Sequence, residues 1–287
     1  MSAVTRRLPR LWWLGAAVLV LLAISVLRVV TGAEDLASSG TVRATLIALV
    51  PIMLAGLGGL WSERAGVVNI GLEGMMVLGT YGAGYFGYHY GAWAGVAGAL
   101  LMGAIGGLIH ATATVVFGVD HIISGVAINI IAVGAVQYLA SLTFVGLPGG
   151  GQTQSPKLDN VGSITIGPLS DALGEVEDQD IFFVSELAAV ARAMVTNLSL
   201  LVVLAFVLLF VTYWVLWRTS FGLRLRSTGE SPSAAESLGV AVLRYKFSAV
   251  LVSGAMAGLA GGFLAMVASP TSRAGQPGVV GSLAWRR

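Results

Sequence analysis

The side chains that could handle a solute lie inside long apolar runs. In Ser62–Gly79 (SERAGVVNIGLEGMMVLG), Asn69 and Glu73 enter a segment of membrane length, and Thr80 follows directly. At about 100° per residue, Asn69, Glu73 and Thr80 fall within roughly 40° of one another on a helix. An amide, a carboxyl and a hydroxyl on one face suit hydrogen bonding to a polar solute. They equally suit bonding to a neighbouring helix, with Glu73 reaching a partner such as Asn129. An ionisable group at membrane depth is costly and by default marks function. Asn129, Gln137 and Ser141 form a second polar group, for which bonding between helices is the first reading. Glu63 and Arg64 sit at the mouth of the run and are boundary charges.

Other chemistry is poorly represented. The chain has no cysteine, and His89, His110 and His121 show no ligand-like spacing, so no metal site is expected. Neither lysine, Lys157 or Lys246, follows a phosphate-loop pattern. No nucleophile–base set stands out. The chain is therefore read as a non-enzyme that binds no cofactor of its own, and any ATP hydrolysis belongs to another subunit.

The elements that position these residues are membrane helices. Of 287 residues 56% are hydrophobic and 10% charged, and the mean hydropathy is +0.86. Soluble domains carry about 25% charged residues. Repeated apolar runs predict an all-α integral membrane protein, a polytopic bundle of about seven spans, near 11–31, 42–61, 66–88, 92–117, 122–145, 198–217 and 247–268. Pro51 would kink the second. Residues 1–268 form the membrane domain, with a loop of some fifty residues at 149–197 that holds a short hairpin and a surface helix. A basic loop follows at 218–246, and residues 269–287 form an atypical tail. Seven of the 14 acidic residues lie in the long loop, against nine of the 16 basic ones near the other side. The positive-inside rule then places the N-terminus, ahead of an uncleaved first helix, in the cytoplasm of a multi-pass cell-membrane protein. Arg28 and Arg43 are exceptions whose long side chains can snorkel to the interface. Without a basic–aromatic patch, membrane lipid rather than nucleic acid is the expected surroundings.

Small residues recur every four positions at Gly95, Ala99, Gly103 and Gly107, and again at Gly254, Gly258 and Gly262. Such stripes allow close helix approach and are read as packing. In the basic loop, Pro232 after Ser231 suits a helix start and Gly239 a helix end, predicting a short surface helix.

Three stretches carry a resemblance: ERAGVVNIGLEGMMVLGTYGA (63–83), DHIISGVAINIIAVG (120–134) and GLRLRSTGESPSAAESLGVAV (222–242). Over roughly 40–268 the chain resembles permease subunits of bacterial ABC importers of the branched-chain amino acid/ribose class, nearest the nucleoside and simple-sugar branch. The resemblance implies ATP-driven import of a small polar solute by alternating access, a nucleoside before a simple sugar. It implies two ATPase subunits, which hold the ATP and magnesium, a second permease and an extracytoplasmic solute-binding protein. It makes the short helix a coupling helix, with Ala234, Ala235 and Gly239 matching the family's small-residue pattern, Pro232 opening it, and Glu230 and Glu236 placed to meet basic groups on the ATPase. It puts Asn69, Glu73 and Asn129 on the solute path. His121 departs from an acidic position of many relatives. The similarity stops near Ala268, whereas the family continues with further helices, so the resemblance implies a chain lacking its last spans. A stand-alone secondary transporter or channel would instead call for internal repeats and an ion relay, and a non-transporting scaffold would use the acidic loop as its binding surface.

Overall fold

The computed structural model describes residues 12–33, 38–179 and 181–268. The arginines at 6, 7 and 10, the acids Glu34, Asp35 and Asp180, and the tail 269–287 lie outside the described residues. Among the described residues the chain is almost entirely helical: α1 Trp12–Thr31, α2 Ser39–Arg64, α3 Leu72–Tyr90, α4 Ala92–Ala111, α5 His121–Thr143, α6 Gly167–Glu177, α7 Val184–Val195, α8 Leu200–Arg218, α9 Ser220–Glu230, α10 Pro232–Ser237 and α11 Val242–Phe263. Short π turns at Thr112–Val116 and Leu264–Ala268 extend α4 and α11.

About seven spans are expected from the sequence; among the described residues five helices are long and apolar enough to cross a membrane, namely α2, α4 with its π turn, α5, α8 and α11 with its π turn. Helix α1 is 20 residues long and apolar but for Ser25, Arg28 and Thr31. Helix α3 has the length but carries five glycines, four tyrosines and Glu73 among 19 residues. It needs no apolar exterior because it is packed by α4, α5 and α11.

The chain divides into two compact units, one of residues 1–46 and 163–198, the other of residues 47–162 and 199–287. In the first, the segment read as a mostly irregular acidic loop is a helical hairpin, α6 and α7. Its two helices have amphipathic periodicity and bury Ser170, Gly174, Ser185, Ala188, Ala189 and Ala193. Ser170 and Thr196 share a 2.7 Å hydroxyl–hydroxyl bond, and the Ile166 N–H donates to the Val195 carbonyl at 2.9 Å. Two acids of this region, Glu177 and Glu186, are structural. Glu177 accepts the Arg192 guanidinium at 2.9 Å and the Ser39 N–H at 2.8 Å, so it satisfies a free donor at the positive end of α2. Burial alone would raise the Glu177 carboxyl; the Ser39 N–H, the Arg192 guanidinium and the Ser39 hydroxyl together hold it below its ordinary value.

Arg28, expected to snorkel, instead pairs with Glu186 of α7, Nε to Oε1 at 3.2 Å, with side chains 13% and 1% exposed. The contact is an ion pair without linear hydrogen-bond geometry, since neither Glu186 oxygen has an aligned donor. Removing one partner leaves a buried charge uncompensated, which costs far more than the pair contributes.

The second unit is built on backbone contact. Gly103 and Gly107 of α4 lie against Gly254 and Gly258 of α11, and Gly258 also touches Gly79 of α3. Gly95 abuts Gly87 of α3, while Gly262 faces Ala99 and Ala83. A Cβ at most of these positions would overlap neighbouring main chain, so three helices run closer than side chains permit.

Arg28→Ala is expected to cost about 3 kcal/mol and lower the thermal midpoint, while a double change of Arg28 and Glu186 to Met recovers most of that loss. Thermal unfolding of the wild type and the two variants in detergent checks this.

Candidate functional site

The segment between α2 and α3 is not helical. α2 ends in a Schellman arrangement: the Val67 N–H donates to the Ser62 carbonyl at 3.0 Å, and the Gly66 N–H to Glu63 at 2.9 Å. Gly66, at φ +77°, supplies the left-handed residue this stop requires. Val67 then buries against Ala111 and Val250, and α3 begins only at Leu72. Asn69 therefore lies before the helix and does not share a helical face with Glu73 and Thr80. The expected polar stripe is reduced to the last two.

Seven residues of irregular backbone between packed helices need hydrogen-bond partners, and side chains from three helices supply many of them. The Val68 N–H donates to His121 Nδ1 at 3.3 Å, and the Val68 carbonyl faces His110 Nε2 at 3.4 Å. His110 is fully buried, and its Nδ1 lies 2.9 Å from the Ser124 hydroxyl. These partners assign the proton of His110 to Nε2 and make Ser124 the donor to Nδ1. Asn69, 5% exposed, donates to the Ser253 hydroxyl of α11 at 2.9 Å and accepts the Gly71 N–H at 3.0 Å. Asn129 of α5 donates to the Ile70 carbonyl at 3.0 Å and accepts the Gly74 N–H at 2.7 Å.

Asn129 thus does not bond Glu73. It caps the first turn of α3 from another helix, reaching one of the donors that a helix start leaves free. Gly71 and Gly74 allow this because α5 passes against them at Gly125 and Ile128. Glu73, in that first turn, is exposed. Among the described residues its carboxylate has no partner. Thr80 lies two turns further on, its hydroxyl donating to the Val77 carbonyl at 2.7 Å. From the sequence, His110 and His121 are weighed as metal ligands or boundary residues, and Ser124 and Ser253 are not singled out. A histidine in an apolar run reads alike whether it faces a boundary or a packed core.

Beside the clamp is an open recess of about 510 Å³ lined by Val68, Ile70, Thr114, Asp120 and His121 among others. Asp120 is committed as the N-cap of α5, accepting the Ile122 and Ile123 N–H groups at 2.9 and 3.1 Å. Among the described residues no group of three or more histidines and carboxylates could hold a metal ion.

The other end of the clamp meets the short helices. Gly229 of α9 lies against Gly66 and the Arg64 carbonyl, so close that a Cβ would overlap main chain. α10, Pro232–Ser237, follows; Ala235 is buried, while Glu230, Pro232, Ala234, Glu236 and Gly239 are exposed. Gly239, at φ +79°, follows its last turn.

Residues 41–276 match the family model described as branched-chain amino acid transport system / permease component. The chain is 37% identical to the guanosine ABC transporter permease protein NupQ of Bacillus subtilis and 32% identical to the nucleoside ABC transporter permease protein NupC of Lactococcus lactis. Each alignment covers 78% of this chain and 66% of the relative. A putative glucose ABC transporter permease protein, TsgC13 of Haloferax volcanii, is 31% identical over 81% of this chain and 64% of its own length. The chain thus spans slightly less than two thirds of these relatives. No solved structure matches it.

Asn129→Ala removes two hydrogen bonds that no neighbour can replace. It is expected to destabilise the protein by roughly 1–3 kcal/mol and to speed amide exchange at residues 70–74 above the rest of α3. Hydrogen-exchange mass spectrometry checks it.

Proposed function

We propose a function for this chain from one premise: it belongs to the family of branched-chain amino acid transport system permease components. It works as the membrane subunit of an ATP-driven importer and moves a nucleoside, with a simple sugar as the second candidate. Its partners are two ATPase subunits that bind ATP and magnesium, a second permease and an extracytoplasmic solute-binding protein. The observation that carries the reading is similarity to two permeases named for guanosine and nucleosides. The basic ends of α2, α8 and α9 face the cytoplasm, as does the N-terminus.

Within this reading Glu73 and Thr80 line the solute path. Asn69 and Asn129 belong to it by holding the irregular segment that presents Glu73. A nucleoside offers ribose hydroxyls and base N–H groups, for which an unpaired carboxylate is a good acceptor. α10 seats on the ATPase: Ala234 and Gly239 allow close approach, Glu230 and Glu236 meet basic groups, and Leu238, 84% exposed, is buried on docking. The glycine stripes of α4 and α11 keep the bundle rigid enough to rock as a body. Movement of α9 and α10 reaches the path through Gly229 against Gly66, because no flexible side chain lies between those main chains.

Guanosine uptake by proteoliposomes holding the assembled importer tests this. Uptake is expected to require ATP, to disappear in Glu73→Ala and to persist in Glu63→Ala. Uptake by the single chain without ATP, or by Glu73→Ala at the wild-type rate, would overturn the respective assignment. Gly229→Ala forces α9 away from Gly66. ATP hydrolysis should continue while solute moved per ATP falls about ten-fold, read from paired phosphate-release and uptake measurements.

A further inference from the structure

The ends of α2 and α8 and the middle of α9 form a cationic site that has no counter-ion among the described residues. The guanidinium carbon of Arg64, the last residue of α2, lies 5.6 Å from the centroid of the Trp217 ring; that of Arg226 lies 5.9 Å from the same ring. Each contact is favourable, and the two place like charges on one indole, an arrangement that an anion between them would stabilise. Among the described residues the ion pairs are Arg28 with Glu186 and Arg192 with Glu177, so neither cation is neutralised. Arg226 Nε is buried and has no acceptor. A buried N–H left this way is uncommon and calls for a partner from outside. The negative end of the α2 dipole helps place Arg64 but does nothing for Arg226.

A second observation identifies the kind of anion. α8 leads to this site with a continuous exposed apolar face: Val207, Phe210, Val211 and Trp214 are 49%, 67%, 44% and 61% exposed. Their spacing of three, four and seven residues makes one stripe. The stripe ends one turn from Trp217, on which Tyr213 stacks at 5.7 Å. A spanning-length helix whose apolar stripe runs into paired arginines and aromatic rings has the two-part character of an amphiphile site. A soluble phosphate would satisfy the charge and leave the stripe uncovered. A zwitterionic lipid would cover the stripe but bring a cation of its own. Basic pockets at the ends of membrane helices take anionic headgroups for these reasons.

We infer that Arg64, Trp217 and Arg226 bind the phosphate headgroup of an anionic phospholipid whose acyl chains lie along the exposed face of α8. The guanidinium groups hold the phosphate oxygens, Arg226 Nε gains its acceptor, and Trp217 fixes the depth of the headgroup. The site stands whether or not the chain transports a nucleoside.

Native mass spectrometry of the full chain, in the complex with which it purifies, tests the site against phosphatidylglycerol, phosphatidylcholine and glycerol phosphate. The wild type should retain phosphatidylglycerol about 30-fold better than phosphatidylcholine, the size expected of two interfacial arginines. Arg64→Gln with Arg226→Gln should bring the two lipids within about two-fold, whereas Arg244→Gln, an exposed arginine of α11, should leave the preference intact. If the double variant does not fold, Arg226→Gln alone decides, with an expected drop of about five-fold. Equal retention of both lipids by the wild type, an unchanged preference in the arginine variants, or displacement of phosphatidylglycerol by an equal concentration of glycerol phosphate would each overturn the inference.

Discussion

A chain that interrupts a helix among packed helices must find a hydrogen-bond partner for every backbone group it frees. Residues 65–71 impose that requirement here, and the second unit is arranged to meet it. The demand fixes where His110, His121, Ser124, Asn129 and Ser253 stand, and so fixes the register of α4, α5 and α11 around α3. The side chains of Asn129 and Ser253 are short. They reach only because Gly74 and Gly125 bring α5 onto the start of α3, and because glycines on α4 and α11 draw those helices to backbone contact. Close packing and polar satisfaction are therefore one constraint seen from two sides. A larger residue in a stripe would also pull the capping groups out of range.

The first unit solves a different problem with charge. Two of its acids are drawn into the packing, while Asp171, Glu175 and Asp178 stay exposed. Glu177 caps α2 and holds Arg192, and Glu186 is enclosed with Arg28. A buried pair of this kind contributes little net stability, but it makes any other arrangement of α1 and α7 expensive. Its effect is specificity of placement. That matters for a helix such as α1, whose surface is otherwise almost wholly apolar and would pack in many orientations.

How much of this was legible follows from which signals are local. Membrane-length apolar runs, the Pro232 start and the Gly239 turn are local, and the helices stand there. The Gly66 stop is local too: a glycine after ERA and before an apolar pair is a C-terminal signal, masked by the long apolar stretch on either side. Reading through it placed Asn69 on a helix to which it does not belong. The amphipathic period of α6 and α7 was likewise present but outweighed by the acids beside it. The roles of His110 and Ser253 were not legible. Their meaning depends on which helix faces them, and nothing in their own neighbourhoods specifies that. The low hydropathy of α3 was visible, but it identifies a central helix only once α4, α5 and α11 are known to surround it.

The broken segment also explains why a carboxylate can be kept at this depth. An isolated charge inside a helix bundle is disfavoured, and most such residues are paired or neutral. Glu73 occupies the first turn of α3, where the helix dipole favours a negative charge. Two nearby free donors that would otherwise turn to it are used elsewhere: Gly74 gives its N–H to Asn129 and Gly71 to Asn69, while Met75 makes the first bond within the helix, to Gly71. The helix start thus stabilises the charge through its field while its nearest hydrogen bonds are spent elsewhere. Under the function proposed above, an acceptor with its capacity left open is what a solute rich in hydroxyl and N–H groups requires. An unbroken helix from Ser62 onward would have placed Glu73 mid-helix, with neither the dipole nor the opening.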